Sequence, residues 1–156
     1  MSAPDTKNKW IAVDFDSTIT LSGAEFPEIG RCNPEAIPTL LQLKQLGFKL
    51  MLWTCRADES LKAAVEWCAV RGLHFDAINE YPEQKEWSNS PKAYADYYID
   101  DKSVGITLKS FKLDDGYQIG IDWKNIRRYF NLIKTEPSLD NNVIVLDEYE
   151  VLSQSR

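Results

Sequence analysis

The sequence predicts an α/β protein whose core is a parallel sheet flanked by helices. Through the first hundred residues, short apolar runs alternate with segments of helical periodicity, and this alternation is typical of parallel strands joined by right-handed crossovers. Three of the predicted strands end abruptly in polar residues. Because parallel strands point the same way, those residues would meet at one edge of the sheet, where open α/β sheets bind their ligands.

The predicted strands are short apolar runs. They cover residues 11–13, 48–53, 75–78 and 97–99. Runs of this length without polar alternation are typical of strands buried on both faces, as in a parallel sheet. The total length of 156 residues is enough for one domain with a core of its own.

Two helices are predicted between these strands. Asn33 is placed as the N-cap of the first helix, with Pro34 at its first position and Gly47 just after its end. The second helix is indicated by apolar side chains over 61–69 at the spacing of one helical face, and it closes by Gly72.

After residue 99 the sequence predicts a hairpin and a third helix. The hairpin spans 104–121 with its turn at 114–116. Asp122 is placed to cap the helix. Its predicted buried face consists of Ile126, Tyr129, Phe130 and Ile133.

The last part of the chain is predicted to be a tail. We place the domain at 1–134 and the tail at 135–156, where 142–146 has a strand-like composition. That segment could add an edge strand or mediate self-association, and the sequence leaves both open.

Composition excludes several classes of function. A net charge of −6 disfavours broad binding to nucleic acid, which rewards clustered Lys and Arg. His74 is the only histidine, so zinc sites rich in histidine are excluded. The three cysteines have no paired spacing, which fits a reducing compartment, and no apolar run approaches membrane length. We therefore expect a cytoplasmic protein without a membrane partner.

Acidic residues follow the first and last strands of the predicted sheet. Asp14 and Asp16 come after 11–13, and Asp100 and Asp101 come after 97–99. Carboxylates gathered at the ligand-binding edge of a sheet indicate a site for a hard cation and an anion.

Four motifs resemble, in the same order, those of the haloacid dehalogenase-like (HAD) phosphohydrolase superfamily. Residues 14–18 (DFDST) are similar to the first motif, DxDx[TV], and Thr54 ends a hydrophobic strand as in the second. Lys92, eight residues before Asp100, is placed like the lysine of the third. The pair Asp100 and Asp101 resembles the fourth.

The resemblance implies a three-layer Rossmann-like (HAD-like) sheet flanked by helices, without a cap domain. The interval from the first to the second motif has room for one helix and a loop, and the next interval for one helix, a strand and a loop. An open site of this kind suits bulky or end-group substrates, or a neighbouring subunit acting as a lid. A homo-oligomer is therefore an open alternative.

The resemblance also assigns catalytic roles. Asp14 would attack phosphorus to form an aspartyl-phosphate, and Asp16 would act as general acid and base. Thr54 and Lys92 would bind the phosphoryl group. Two other lysines, Lys85 and Lys102, are close enough in sequence to substitute for Lys92.

A magnesium ion belongs to the same implied machinery, because a carboxylate cannot readily approach a phosphate dianion without a cation. The resemblance places Mg²⁺ on Asp14, on the backbone carbonyl of Asp16, and on Asp100, with Asp101 bound directly or through water.

Several functions remain open at this stage. The substrate could be a small phosphorylated molecule or a nucleic-acid end, as in capless 3′-phosphatases, and a receiver-like module that is phosphorylated without hydrolysing substrate is a further alternative. The loop 79–90, with Tyr81 and Trp87, is a candidate for substrate contact, with surface packing as the equal alternative.

Overall fold

The computed structural model describes residues 6–133, and its centre is a four-stranded parallel sheet in the order β3-β2-β1-β4. This confirms an α/β protein with a parallel sheet flanked by helices. The four strands are β1 (Trp10–Val13), β2 (Lys49–Leu52), β3 (Ala77–Ile78) and β4 (Tyr97–Ile99).

The third strand is shorter than predicted, since it begins at Ala77 rather than at residue 75. Asp76 still pairs with Leu50 of β2, because its N–H donates to the Leu50 carbonyl at 2.7 Å and its carboxylate accepts from the Leu50 N–H at 2.8 Å. A side-chain oxygen therefore takes the place of a backbone carbonyl at this point of the ladder.

Three α-helices accompany the sheet: α1 (Ala36–Gln45), α2 (Asp58–Ala69) and α3 (Trp123–Tyr129). The predicted start of α1 is wrong, because Glu35 occupies the N-cap position. The amide of Asn33 is buried and donates to the Ile121 carbonyl at 2.9 Å instead. Gly47, with φ +98°, follows the helix as predicted.

The third helix begins as predicted, since the Asp122 carboxylate accepts from the N–H groups of Lys124 and Asn125. Its predicted buried face is only partly right. Ile126 is buried, but Tyr129 is 67% exposed. Tyr129 is the last residue of this short helix, where its ring packs edge-on against Tyr97 rather than entering the core.

All three helices contribute to one hydrophobic cluster on one face of the sheet. The opposite face, with Ala12 and Met51, packs instead on Ala93 and Ala95 of the connection between β3 and β4. That connection contains a single 3₁₀ turn, Gln84–Glu86. The layer on this face is thus an irregular segment rather than the second helical layer of a three-layer Rossmann-like sheet, which the resemblance implied.

The predicted hairpin is present as β5 (Leu108–Leu113) and β6 (Gly116–Ile121), which pair antiparallel in a second sheet. It begins four residues later than the predicted start at residue 104. The segment between β1 and α1 closes through a bridge of Thr20 with Cys32, and its Ser22 N–H donates to Ile119 of β6 at 2.8 Å. The hairpin therefore holds the loop that leaves the first motif.

Between β1 and β4, the described chain forms α1, β2, α2, β3 and the connection that contains the 3₁₀ turn. None of the helices within residues 6–133 is long and apolar enough to cross a membrane. The tail 135–156, with its predicted strand at 142–146, lies outside the described residues.

Candidate functional site

Three carboxylates gather at the carboxyl edge of the sheet. β1 and β4 are neighbours in register, with Val13 opposite Ile99, so the residues that follow them are also neighbours. The Asp14 N–H donates to the Ile99 carbonyl at 2.9 Å. Carboxylate oxygens of Asp14, Asp100 and Asp101 all lie within 4.8 Å of one another. We call this set the acidic cluster.

Asp14 is the most perturbed member of the acidic cluster. Burial raises its pKa from the ordinary 3.8 to about 7, and the charges of Asp100 and Asp101 act in the same direction. Hydrogen bonds from the Phe15 N–H and the Thr18 hydroxyl oppose the rise. An uncompensated acid here is costly in its ionised form, which is the condition that a bound cation relieves.

The acidic cluster could hold a divalent cation. Two oxygens bound to one Mg²⁺ at ~2.1 Å can be at most about 4.2 Å apart, and the three carboxylate oxygens here lie within 4.8 Å of one another. Only one pair of the three oxygens can lie on opposite sides of the ion, and adjacent ligands are closer together, so side-chain rotations would bring the set onto Mg²⁺. Hard oxygen donors of this kind suit Mg²⁺ better than a softer metal.

Thr18 holds the two halves of the acidic cluster together. Its hydroxyl donates to the Asp14 carboxylate at 3.1 Å and accepts from the Asp101 N–H at 3.0 Å. The side chain is fully buried, and its own carbonyl accepts from the indole N–H of Trp123 at 2.9 Å. Thr18 thus fixes the loop after β1 to the loop after β4.

Asp16 lies apart from the acidic cluster, because the chain folds back directly after it. Ser17 has φ +58°, and the N–H groups of residues 18–20 all turn toward the Phe15 carbonyl. The Asp16 carboxylate instead accepts two hydrogen bonds from Arg56, from Nε at 2.8 Å and from Nη2 at 2.7 Å. Its side chain remains 45% exposed.

Thr54 is fixed at the end of the neighbouring strand β2. Its N–H donates to the Asn79 side-chain carbonyl at 2.8 Å, and the Asn79 amide donates back to the Thr54 carbonyl at 2.9 Å. The Thr54 hydroxyl accepts from the Arg56 N–H at 3.1 Å. Its own proton is therefore directed elsewhere and can be donated to a ligand.

Of the three candidate lysines, Lys85 is exposed in the 3₁₀ turn, and the other two have different partners. The Lys92 ammonium lies 5.6 Å from the centre of the Tyr98 ring, and Lys92 is exposed. The ammonium that contacts the acidic cluster belongs to Lys102, with Nζ 3.1 Å from an Asp101 oxygen. The Lys102 side chain is 87% exposed, so this contact is made largely in solvent.

The loop after β3 packs on the irregular layer of the fold. The Tyr81 ring meets the ring of Trp10, the first residue of β1, whereas Asp14 follows the last residue of that strand. Tyr94 lies edge-on between Tyr81 and Trp87. These contacts favour packing over substrate contact for Tyr81, while the Trp87 side chain is exposed.

Sequence reasoning assigned no role to Thr18, Arg56 or Asn79. Thr18 stands inside the first motif, and Arg56 comes two residues after the end of the second at Thr54, so their positions were a usable signal. Asn79 has only its place after a strand. The structure gives each of them side-chain hydrogen bonds within the site.

Comparison with known proteins gives a match to a solved structure. The sequence matches no family model and no curated protein. It is similar to a solved structure of a conserved protein from Bacteroides thetaiotaomicron, with 40% sequence identity, a TM-score of 0.64, and coverage of 83% of this chain and 94% of that chain. The chain belongs to the same family as this Bacteroides protein. The Bacteroides protein is called only conserved, so the likeness supports the fold and leaves the chemistry to the residues of the site.

Proposed function

We propose that the protein is a Mg²⁺-dependent phosphohydrolase of the HAD type, hydrolysing phosphate monoesters through an aspartyl-phosphate. The observation that carries the proposal is the acidic cluster at the carboxyl edge of β1 and β4, which includes the partly buried Asp14 with its raised pKa. The order of the four motifs supports the same reaction class. The three cysteines are free, as a reducing, cytoplasmic setting would require.

In the first step an Asp14 carboxylate oxygen forms a bond to phosphorus, and the bond from phosphorus to the leaving oxygen breaks. Asp16, whose side chain is partly exposed, would give a proton to that oxygen and release an alcohol. The Thr18 hydroxyl donates to Asp14 Oδ2 and so fixes the orientation of the nucleophile. Fixed geometry lowers the barrier because no reorganisation is needed at the moment of attack.

In the second step a water oxygen attacks phosphorus, and the bond from phosphorus to Asp14 breaks. Asp16 takes the proton of that water and is thereby ready for another cycle. The sum is one phosphate ester and one water converted to one alcohol and one inorganic phosphate.

Mg²⁺, held by Asp14, Asp100 and Asp101, and by the Asp16 carbonyl as the resemblance implies, would supply charge neutralisation for the phosphoryl oxygens. Thr54 would donate its hydroxyl proton to a phosphoryl oxygen. A lysine ammonium would add a positive charge, with Lys92 favoured by the motif and Lys102 by its contact with Asp101.

The test is phosphate release from a panel of sugar phosphates, nucleotides and 3′-phosphorylated oligonucleotides. We expect turnover that needs Mg²⁺, stops in EDTA and is lost in Asp14→Asn. The preferred substrate decides between a small-molecule and a nucleic-acid-end phosphatase. Absence of turnover together with stable labelling of Asp14 by acetyl phosphate would instead favour a receiver-like phosphoacceptor, and absence of both would refute the proposal.

A further inference from the structure

Arg56 is a buried cation next to the partly exposed carboxylate of Asp16. It lies in the turn between β2 and α2 and is only 2% exposed. A guanidinium has five N–H donors in one plane, and here all five are directed at acceptors. Two of them bind the Asp16 carboxylate side by side, at 2.7 and 2.8 Å.

The other donors of Arg56 reach backbone carbonyls on two further segments. Nη1 donates to Pro27 at 2.8 Å, and Nη2 donates to Glu28 at 2.9 Å. A longer contact of 3.5 Å joins Nη1 to the Ser60 carbonyl in α2. One side chain thus connects the loop after β1, the segment 26–28 and the start of α2.

Two aromatic rings complete the surroundings of Arg56. The buried Phe15 ring lies 5.2 Å from the guanidinium carbon, and the Phe26 ring lies 5.3 Å from it. Phe26 is 65% exposed, so it covers the guanidinium while presenting its own surface to solvent. A cation between aromatic rings is held in orientation as well as in place.

We infer that Arg56 is a positioning residue that orients Asp16 toward the leaving-group oxygen and fixes the segment 26–28 beside it. This inference rests on the proposed phosphatase function. Arg56 does not bind the phosphoryl group itself, because its five N–H donors are already engaged. The planar pair of hydrogen bonds fixes the plane of the Asp16 carboxylate, which a lysine at this position cannot do.

The decisive experiment is a double-mutant cycle of Arg56→Lys and Asp16→Asn on the Mg²⁺-loaded enzyme. The substrates are an alkyl phosphate and p-nitrophenyl phosphate, and kcat/KM is measured because it reports the steps up to departure of the leaving group. An alkoxide needs the proton of Asp16, whereas p-nitrophenolate departs readily without one. We expect Arg56→Lys to lower kcat/KM for the alkyl phosphate about 10- to 100-fold, and much less for p-nitrophenyl phosphate.

If Arg56 acts through Asp16, its replacement changes kcat/KM less than about 3-fold once Asp16 is already Asn. An equal loss in both backgrounds, or for both substrates, would overturn the inference. Arg71→Lys is the matched control, since Arg71 also lies over an aromatic ring, that of Trp67, but is exposed in the turn that follows α2. It should leave kcat/KM unchanged for both substrates.

A second measurement is independent of catalysis. Amide hydrogen exchange at Glu28, whose N–H donates to the Glu25 carbonyl at 2.9 Å, should accelerate at least about 10-fold in Arg56→Lys, because the carbonyls of Pro27 and Glu28 lose their fixed donor. If Arg56→Lys fails to fold, Phe26→Ala uncovers the guanidinium from the exposed side and should give the same two effects in weaker form. Unchanged exchange would refute the positioning of this segment even in an active enzyme. Faster exchange in Arg56→Lys, together with a wild-type protein that has no phosphatase activity, would refute the proposed function and the role of Asp16 with it. Arg56 would then remain only the residue that holds the segment.

Discussion

Replacing Asp14 by Asn should stabilise the metal-free protein at neutral pH. Burial, helped by the charges of Asp100 and Asp101, raises the pKa of Asp14 from 3.8 to about 7. An acid whose pKa is higher in the folded than in the unfolded state reduces stability as the pH rises, because the unfolded chain ionises first. The loss therefore begins near the unfolded value of 3.8 and is complete above about 7.

The size of the effect follows from the two pKa values. Each pKa unit between them corresponds to about 1.4 kcal/mol. The full difference therefore sets an upper limit of about 4 kcal/mol on the unfolding free energy that is lost when Asp14 ionises. Asparagine has the same shape, keeps an acceptor for the Thr18 hydroxyl and cannot ionise. Asp14→Asn and wild type should thus have similar stability at pH 4, and the variant should be about 2–4 kcal/mol more stable at pH 8.

The assay is urea unfolding in EDTA at intervals from pH 4 to pH 8, analysed as the difference between variant and wild type. Other titrating groups cancel in that difference. Asp114→Asn, in the exposed turn of the hairpin, is the control and should follow the wild-type curve. Added Mg²⁺ should stabilise wild type more than Asp14→Asn at neutral pH, because it binds the ionised carboxylates. A difference that stays flat between pH 4 and pH 8 would refute the burial argument for Asp14.

Three further outcomes are expected. Thr18→Val should lower the free energy of unfolding by about 1–3 kcal/mol and the rate of phosphate release by at least ~10-fold. Thr18→Ser keeps the hydroxyl and should retain both. Equal behaviour of the two variants in urea unfolding and phosphate release would contradict the role of the hydroxyl. Lys92→Ala should reduce phosphate release more than Lys102→Ala, because an ammonium as exposed as that of Lys102 contributes little in water; the opposite ranking would transfer the motif role to Lys102. Asn33→Ala should lower the free energy of unfolding by about 1–3 kcal/mol, because the Ile121 carbonyl loses its donor. Thermal unfolding measures this change, and an unchanged melting temperature would contradict a stabilising role of that bond.

Local signals in the sequence were sufficient for the strands, the helices and the hairpin. Apolar runs, Asp122 as a cap and Gly47 after a helix all act over a few residues, so they can be recognised without knowing the fold. A strand boundary differs from the prediction where a side chain replaces a backbone carbonyl in the ladder, as the Asp76 carboxylate does just before β3. The N-cap role of Asn33 failed because its amide has a tertiary partner 88 residues away.

The sequence by itself placed four acids at one edge of a parallel sheet, since each comes within three residues of the end of β1 or β4. Only the tertiary structure decided how that edge is divided. The bond from Asp101 to Thr18 spans 83 residues and the pair of Arg56 with Asp16 spans 40, and no local pattern encodes contacts at such distances. The turn after Asp16 separates the two acids of the first motif and assigns one to the acidic cluster and the other to Arg56. The physical reason is that strand and helix signals are local, whereas burial and hydrogen-bond partners depend on which segments the folded chain brings together.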